Sequence, residues 1–175
     1  MTYSPAPQTP LYLIVMGVSG SGKSTIGQAL AEACGLPYVE ADDLHPRSNV
    51  DKMAAGIPLD DADRAPWLDA CAEVWGAAGK GQGGAVLGCS ALKRIYRDRL
   101  RAGVTGDVRI VYLSGSKELI AKRMAARVNH FMPTSLLDSQ FATLEIPGGD
   151  EGAVAVDLAL SVEEMVTSAK TQLGL

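Results

Sequence analysis

A run of glycine, serine and lysine, GVSGSGKS at residues 17–24, constrains the fold of this chain more than any other feature of its sequence. It follows a continuous apolar run, Leu11–Met16, which is typical of a strand buried on both faces. It precedes residues 24–34, where apolar side chains recur at helical spacing. The pattern G-x-x-x-x-G-K-[ST] between a buried strand and a helix is that of a phosphate-binding loop. The sequence therefore predicts a nucleotide site at the start of the first helix.

The residue types in this loop match the chemistry of phosphate binding. Glycines let the backbone pass close to an anion without a Cβ clash, so that backbone N–H groups and the helix N-terminus can face it. The Lys23 ammonium is placed to bridge the β- and γ-phosphates, and the Ser24 hydroxyl to ligate Mg²⁺. Glu40 and Asp42 are candidates for an acid in the outer sphere of the metal. The sequence has neither N-K-x-D nor a third strand that ends in aspartate, which argues against GTPase switches and motor ATPases.

Composition limits the class of protein. With 175 residues, 47% of them hydrophobic and 21% charged, the chain fits one globular domain that buries its own core. A net charge of −4 argues against a broad nucleic-acid-binding face, so local positive groups must hold any anionic ligand. The three cysteines have no metal-ligand or disulfide spacing, and no apolar run could span a membrane, which predicts a cytoplasmic protein without a membrane partner. Residues 1–10, which contain three prolines, are expected to form a flexible leader.

Apolar runs alternate with helical patterns along the rest of the chain. Strands are predicted at 35–42, 85–89, 108–113 and 153–160, and helices at 63–79, 116–128 and after a capping box formed by Ser161 and Glu164. This alternation predicts an α/β fold, with a five-stranded parallel sheet between two layers of helices in one domain over residues 11–175. The polar segments 45–66 and 129–150 fit the scheme poorly. They are predicted to be excursions from the carboxyl edge of the sheet, where α/β proteins bind ligands.

A polar stretch, ADDLHPRSNVDKM at residues 41–53, begins where the second predicted strand ends. Taken alone, such a charged stretch is most often a solvated loop. Beside a phosphate-binding strand, however, a carboxylate could accept the proton of an attacking hydroxyl, a role worth roughly 10²–10⁴ in rate. His45, Arg47 and Lys52 could then hold an anionic group on the phosphoryl acceptor.

Basic residues also follow the third and fourth predicted strands. Lys93, Arg97 and Arg99 have helix-compatible spacing, and Arg123 and Arg127 lie four residues apart on one helical face. A single arginine of this kind is more often part of a surface ion pair. Two on one face that leads into a polar loop are typical of a lid that closes on phosphates, where guanidinium groups can be worth 10³–10⁵ in rate.

Four segments together closely resemble gluconate kinases (gluconokinases): MGVSGSGKS, ADDLHPRSNVDKMAAGIPLDDADRAPWL, GCSALKRIYRDRLR and HFMPTSLLDSQFATLE, in this order between residue 11 and about residue 151. The resemblance implies a small P-loop kinase of the adenylate kinase and shikimate kinase type, with the P-loop strand at the centre of the sheet. It implies transfer of the γ-phosphoryl group of ATP, with Mg²⁺, to the 6-hydroxyl of D-gluconate. The expected products are 6-phospho-D-gluconate and ADP, and the expected assembly is a homodimer.

The motifs also assign roles to individual residues. The residues that the resemblance places against the ATP phosphates are Gly17, Val18, Ser19, Gly20, Ser21, Gly22, Lys23, Ser24 and Thr25, with Ser24 also on the metal. Asp42 would orient or deprotonate the 6-hydroxyl. The candidates for binding the sugar acid are Asp42, His45, Lys52, Arg64 and Lys93. Residues 123–150 would form the lid and the loop after it, with Arg123 against adenine and Arg127 as a catalytic group at the phosphates.

Two positions depart from the family pattern. Many members have aspartate where this chain has Glu40, which puts the water-mediated contact to Mg²⁺ in question. Some members are aromatic where this chain has Asp43, so two adjacent acids compete for the catalytic role. Alternation along a strand would send them to opposite faces, and the motif favours Asp42.

Two other functions fit parts of the sequence. One is a kinase for another small hydroxy acid such as shikimate, although that family has a glycine-rich triplet where this chain reads GCSALK. The other is a non-catalytic module that binds a nucleotide and phosphorylates no acceptor.

Overall fold

The computed structural model describes residues 8–126 and 134–175. Strands and helices alternate through this part of the chain. The strands are β1 (Leu11–Met16), β2 (Tyr38–Glu40), β3 (Gly84–Gly88), β4 (Asp107–Ser114) and β5 (Ala153–Asp157). The helices are α1 (Lys23–Cys34), α2 (Arg47–Ala54), α3 (Asp61–Gly79), α4 (Arg94–Ala102), α5 (Lys117–Ala125), α6 (Thr134–Thr143) and α7 (Val162–Leu173). None of these helices is long and apolar enough to cross a membrane.

The five strands form one parallel sheet in the order β2-β3-β1-β4-β5. The predicted five-stranded parallel sheet with the P-loop strand at its centre is therefore confirmed. The connection that leaves β1 runs toward β2, whereas the connection that leaves the neighbouring β3 runs the opposite way, past β1 to β4, so the direction reverses between β1 and β3. This leaves a crevice at the carboxyl end of β1, the usual place for a ligand in an open α/β sheet.

Both faces of the sheet are covered, which explains why β1 is apolar at every position. Tyr12, Ile14 and Met16 face a core shared with α3 and α4, whereas Leu13 and Val15 face a core shared with α1 and α7. The first core contains both tryptophans of the chain. The Trp67 indole N–H donates to Ala41 O at 2.7 Å, and the Trp75 indole N–H donates to Ala85 O at 3.0 Å, so both buried donors are satisfied.

The two polar segments that fit the predicted alternation poorly, 45–66 and 129–150, are partly helical in the part of the chain that the structure describes. Residues 45–66 contain α2 and the first turn of α3, which starts at a capping box in which Asp60 and Asp63 each accept the backbone N–H of the other. The described part of 129–150 contains α6 and a 3-10 turn, Gly149–Glu151. The sequence did not single out these helices, because short helices that pack by a few side chains have weak periodicity.

Two strand boundaries also differ from the prediction. The second strand ends at Glu40, and a 3-10 helix over Ala41–Leu44 follows, so strand alternation does not describe Asp42 and Asp43. The fifth strand ends at Asp157, whose carboxylate accepts the backbone N–H of Ala159 and closes a turn. The capping box of Ser161 and Glu164 at the start of α7 is present as predicted.

Candidate active site

The phosphate loop joins β1 to α1 at the carboxyl edge of the sheet. Gly20 and Gly22 have φ values of 79° and 89°, in the left-handed region that favours glycine. At Gly17 a Cβ atom would lie 2.6 Å from the Ser21 Oγ, so a side chain there has no room. Gly22 is also the N-cap residue of α1 and has no side chain with which to cap the helix. The first backbone N–H groups of α1 are therefore available to an anion.

Lys23 is buried and lies inside the curve of the loop. Its Nζ donates a hydrogen bond to Val18 O at 3.2 Å, and the side chain lines the cavity described below. A positive charge enclosed by loop backbone is well placed to meet the phosphate groups of a nucleotide.

Ser24 and Glu40 form the pair best suited to a magnesium ion. The Ser24 hydroxyl donates to Glu40 Oε2 at 2.5 Å, and the Tyr38 hydroxyl donates to the same oxygen at 2.8 Å. Burial and the hydrogen bond to Glu40 raise the pKa of Tyr38, which keeps this hydroxyl protonated as a donor. Hydroxyl and carboxylate oxygens are ligands that Mg²⁺ prefers, and Mg²⁺ keeps waters and substrate phosphates as its other ligands. No group of three or more His, Cys, Asp or Glu within residues 8–126 and 134–175 could form an all-protein site.

A cavity of about 290 Å³ opens beside the phosphate loop. Five residues singled out from the sequence line it: Ser19, Lys23, Asp42, His45 and Arg64. They come from three separate parts of the chain, namely the loop after β1, the segment after β2 and the start of α3. The structure thus brings two of the residues expected to bind phosphate and three of those expected to bind the acceptor to one space.

His45 is held in a fixed orientation at this cavity. Its ring stacks on the Trp67 indole, with centroids 4.0 Å apart and planes inclined by 15°. The Asn49 amide nitrogen lies 3.2 Å from His45 Nδ1 and can only donate, which places the imidazole proton on Nε2. Nε2 lies 3.8 Å from Asp42 Oδ1. Burial lowers the pKa of His45 despite the nearby Asp42 carboxylate, so the ring is neutral at physiological pH.

The two adjacent acids after β2 differ in position. Asp42 lines the cavity, with 65% of its side chain exposed, whereas Asp43 is not among the lining residues. The 3-10 helix separates them, since successive residues in such a helix point about a third of a turn apart. Asp42 therefore has access to a molecule in the cavity.

Arg64 lines the cavity and is held by its neighbours. Its Nη1 donates to Leu59 O and, at 3.2 Å, to the Tyr96 hydroxyl. Its guanidinium group also lies over the Tyr96 ring, 5.2 Å from the centroid. A guanidinium fixed in this way can bind a carboxylate with little loss of side-chain entropy.

Lys52 and Lys93 are not among the residues that line the cavity. Lys52 Nζ lies 2.7 Å from Asp63, and Lys93 Nζ lies 3.0 Å from Asp61. Both lysines are thus paired with acids of the first turn of α3, the turn that also carries Arg64. Their role in binding the sugar acid stays a prediction.

Of the two arginines expected in the lid, the structure describes one. Arg123, near the end of α5, donates from Nη2 to Leu158 O at 2.5 Å in the turn after β5. Arg127 lies outside the described residues. A contact of Arg123 with adenine and a catalytic role for Arg127 both stay predictions.

Sequence reasoning missed the part of the cavity wall that α6 contributes. Leu136, Ser139 and Gln140 line the cavity, and Gln140 contacts the phosphate loop directly. A signal was available, because Leu137, Phe141 and Leu144 recur at spacings of four and three residues, which is typical of a helix. No sequence signal indicates that an amide side chain will contact the loop.

Comparison with known proteins identifies the family of this chain. A family model described as an AAA domain matches residues 13–147. A gluconokinase of Gluconobacter oxydans is 50% identical over 147 residues, 84% of this chain and 82% of that protein. The thermoresistant gluconokinase of Escherichia coli is 42% identical over 156 residues, 89% of each chain. The crystal structure of a gluconokinase from Sinorhizobium meliloti superposes with a TM-score of 0.85 at 49% identity, over 95% of this chain and 93% of that one.

These relatives match this chain over most of its length and share its fold. The range matched by the family model, residues 13–147, includes the phosphate loop and every residue that lines the cavity. The chain therefore belongs to the gluconokinase family of P-loop kinases.

Proposed function

We propose that this protein transfers the γ-phosphoryl group of ATP to the 6-hydroxyl of D-gluconate and releases 6-phospho-D-gluconate and ADP. One observation carries the proposal: a single cavity is lined both by Lys23 of the phosphate loop and by Asp42, His45 and Arg64. The outer phosphate of a nucleotide and a small polar anion can therefore occupy adjoining sites. The relatives named as gluconokinases indicate which anion this is.

The lining of the cavity suits a polyhydroxy acid. At about 290 Å³ its volume is near the lower end of small-ligand pockets, which favours a short acid over a nucleoside. Arg64 would bind the carboxylate of gluconate. The Nε2–H of neutral His45 can donate to a hydroxyl of the sugar chain. An imidazolium could donate in the same way, but it would add the free-energy cost of burying a charge.

Transfer would take place between Asp42 and Lys23. Asp42 would accept a hydrogen bond from the 6-hydroxyl and orient it toward the terminal phosphorus, or take its proton. Lys23 would stabilise the negative charge on the transferred group, since phosphoryl transfer depends mainly on positioning and electrostatics. Mg²⁺, when held at Ser24 with Glu40 beside it, neutralises phosphate charge. The assignment of Arg127 to the same charge rests on the lid that the resemblance to gluconokinases implies for residues 123–150.

Several further properties complete the proposal and rest on the resemblance to gluconokinases. They are a requirement for Mg²⁺, a homodimeric assembly and a cytoplasmic location. The same basis supports one kinase domain over residues 11–175, with acceptor-binding residues in 45–66 and a lid that begins at residue 123.

An acceptor panel tests the activity. ADP release would be measured by a coupled assay with gluconate, an epimeric sugar acid, a 5-keto acid, shikimate and a blank without acceptor. We expect gluconate to give by far the highest kcat/KM. If gluconate releases no more ADP than the blank, the proposed function is wrong.

A matched pair of variants tests the catalytic acid. Asp42→Asn should retain binding of a non-hydrolysable ATP analogue and lower kcat by about 10²–10⁴, the usual worth of a general base. Asp43→Asn makes the same chemical change on the neighbouring residue, which does not line the cavity, and should leave kcat near the wild-type value. The opposite pattern would assign the role to Asp43.

A further inference from the structure

Helix α6 is attached to the phosphate loop through one side chain. Gln140 Oε1 accepts a hydrogen bond from the Ser19 backbone N–H at 2.6 Å, and Gln140 Nε2 donates to Ser19 Oγ at 2.8 Å. Both ends of the amide are thus used on one residue that lies 121 positions earlier in the chain. This contact fixes the backbone of the loop at its third residue, directly before Gly20.

The same amide lies where two ligand sites meet. Ser19 and Gln140 both line the cavity, together with Leu136 and Ser139 of α6. A molecule in the cavity would therefore touch α6, while a nucleotide would touch the loop to which α6 is attached. The contact between Ser19 and Gln140 is the direct hydrogen-bonded connection between these two surfaces in the part of the chain that the structure describes.

The chain after α6 is anchored to a second loop of the site. The Glu145 backbone N–H donates to Leu92 O at 2.8 Å, and the Arg94 backbone N–H donates to Glu145 Oε1 at 2.9 Å. These bonds hold the end of α6 against the connection between β3 and α4, which contributes Ser90 to the cavity. Helix α6 thus spans two loops of the site, and Gln140 is its attachment to the phosphate loop.

We propose that Gln140 is a positioning residue that couples acceptor binding to nucleotide binding. An acceptor in the cavity stabilises α6 in its docked position, and docked α6 holds Ser19 in the shape that the phosphate loop needs. Each ligand then lowers the free-energy cost of ordering the site for the other. By linkage, gluconate tightens nucleotide binding by the same factor by which the nucleotide tightens gluconate binding. This inference rests on the proposed function, because gluconate is the acceptor used to detect the coupling.

The test measures the affinity of a non-hydrolysable ATP analogue by calorimetry, with and without saturating gluconate. Gln140→Met keeps the length of the side chain and removes both hydrogen bonds, and Gln28→Met makes the same change on an exposed residue of α1. We expect gluconate to tighten analogue binding to the wild type and to the Gln28 variant. The tightening should fall about tenfold in the Gln140 variant, the worth of two ordinary hydrogen bonds.

Two further variants separate positioning from general stability. Gln140→Glu keeps an acceptor for the Ser19 N–H and should retain more of the coupling than Gln140→Met. In a double-mutant cycle, Ser19→Ala should reduce the coupling less in the Gln140→Met background than in the wild type, because the two side chains act through one contact. A purely structural role would lower the melting temperature without this non-additivity.

The possible outcomes are distinguishable. If the wild type phosphorylates gluconate and Gln140→Met keeps the wild-type coupling, or if the wild type shows no coupling, the role of Gln140 is refuted and the proposed function stands. If gluconate neither releases ADP nor affects the binding of the analogue, the proposed function fails first.

Discussion

Arg97 of α4 and Glu151 form a buried ion pair next to the loop that follows β3. Their side chains are 1% and 2% exposed, and two hydrogen bonds of 2.8 and 3.0 Å join the guanidinium to the carboxylate. Arg97 Nη1 also donates to the carbonyls of Ala91 and Leu92, the latter being the residue that accepts from Glu145. Ala91 has a φ of 43°, in the left-handed region, so Arg97 supports a strained loop. The change Glu151→Gln tests how much this pair matters.

The expected cost follows from burial. Glutamine has nearly the same shape as glutamate, so the main loss is the negative charge, which leaves a buried guanidinium without a counter-charge. Removing one partner of a buried pair typically costs about 3–5 kcal/mol. The total stability of a natural domain is about 5–15 kcal/mol. At about 2–4 °C per kcal/mol for a chain of this size, the melting temperature should fall by about 6–20 °C.

The same helix offers a matched control. Arg99 and Asp69 form a pair with the same two-bond geometry, at 2.6 and 2.8 Å, but their side chains are 47% and 58% exposed. Asp69→Asn makes the same change of carboxylate to amide and should cost at most about 1 kcal/mol. Urea and thermal unfolding of both variants, followed by circular dichroism, give the comparison. If Glu151→Gln costs no more than Asp69→Asn, the reasoning from burial is refuted.

Acid should weaken the pair at Glu151 in a defined pH range. The hydrogen bond from Arg97 lowers the pKa of Glu151 below the usual value of 4.5. The contribution of the pair to stability is therefore complete above pH 4.5 and is lost as the pH falls through the lower pKa of the folded state. Wild type and Glu151→Gln should accordingly converge in stability at the acid end of a pH series.

Three further predictions concern the site. Lys23→Met should lower kcat by orders of magnitude with little change in the melting temperature, because the lost charge acts on the phosphates; an unchanged kcat would contradict the role of the loop. Glu40→Gln should raise the Mg²⁺ concentration needed for half-maximal activity severalfold, since it removes the charge beside Ser24, and a metal titration measures this. The His45 imidazole should titrate below pH 6.5 by NMR, with its signal assigned by its loss in His45→Gln. Because unfolding exposes this ring and raises its proton affinity, the contribution of His45 to stability should fall as the pH drops below 6.5, and a midpoint at or above that value would refute its burial.

The sequence predicted the parts of the fold that depend on local signals. The strands are short apolar runs bounded by polar residues, and a strand buried on both faces needs apolar side chains at every position, as in Leu11–Met16. The loop after it needs glycine at positions where φ is positive, such as Gly20 and Gly22. The start of α7 was predictable because a capping box spans only four residues, Ser161 to Glu164.

The candidate site was less predictable, because its contacts join distant parts of the chain. A lysine such as Lys52 has the same charge whether it faces a substrate or pairs with an acid, and only the fold brings Asp63 within 2.7 Å. The 3-10 helix after β2 changes the directions of Asp42 and Asp43, and four residues, Ala41–Leu44, carry no clear signal for it. Gln140 could not be singled out, since its partner is 121 residues away.

The location of both tryptophans in one of the two cores determines what an optical experiment can detect. Trp67 and Trp75 belong to α3 and lie on the face of the sheet that is opposite α1 and α7. Intrinsic fluorescence will therefore report loosening of the α3 side and will be nearly blind to loosening of the other layer. Trp67 stacks on His45 at the cavity, whereas Trp75 lies farther inside. The emission of Trp67 should therefore respond to a bound ligand, and that of Trp75 to changes in core packing. Replacing Trp75 with phenylalanine would leave Trp67 as the one tryptophan, so that selectively excited tryptophan emission would report on the cavity.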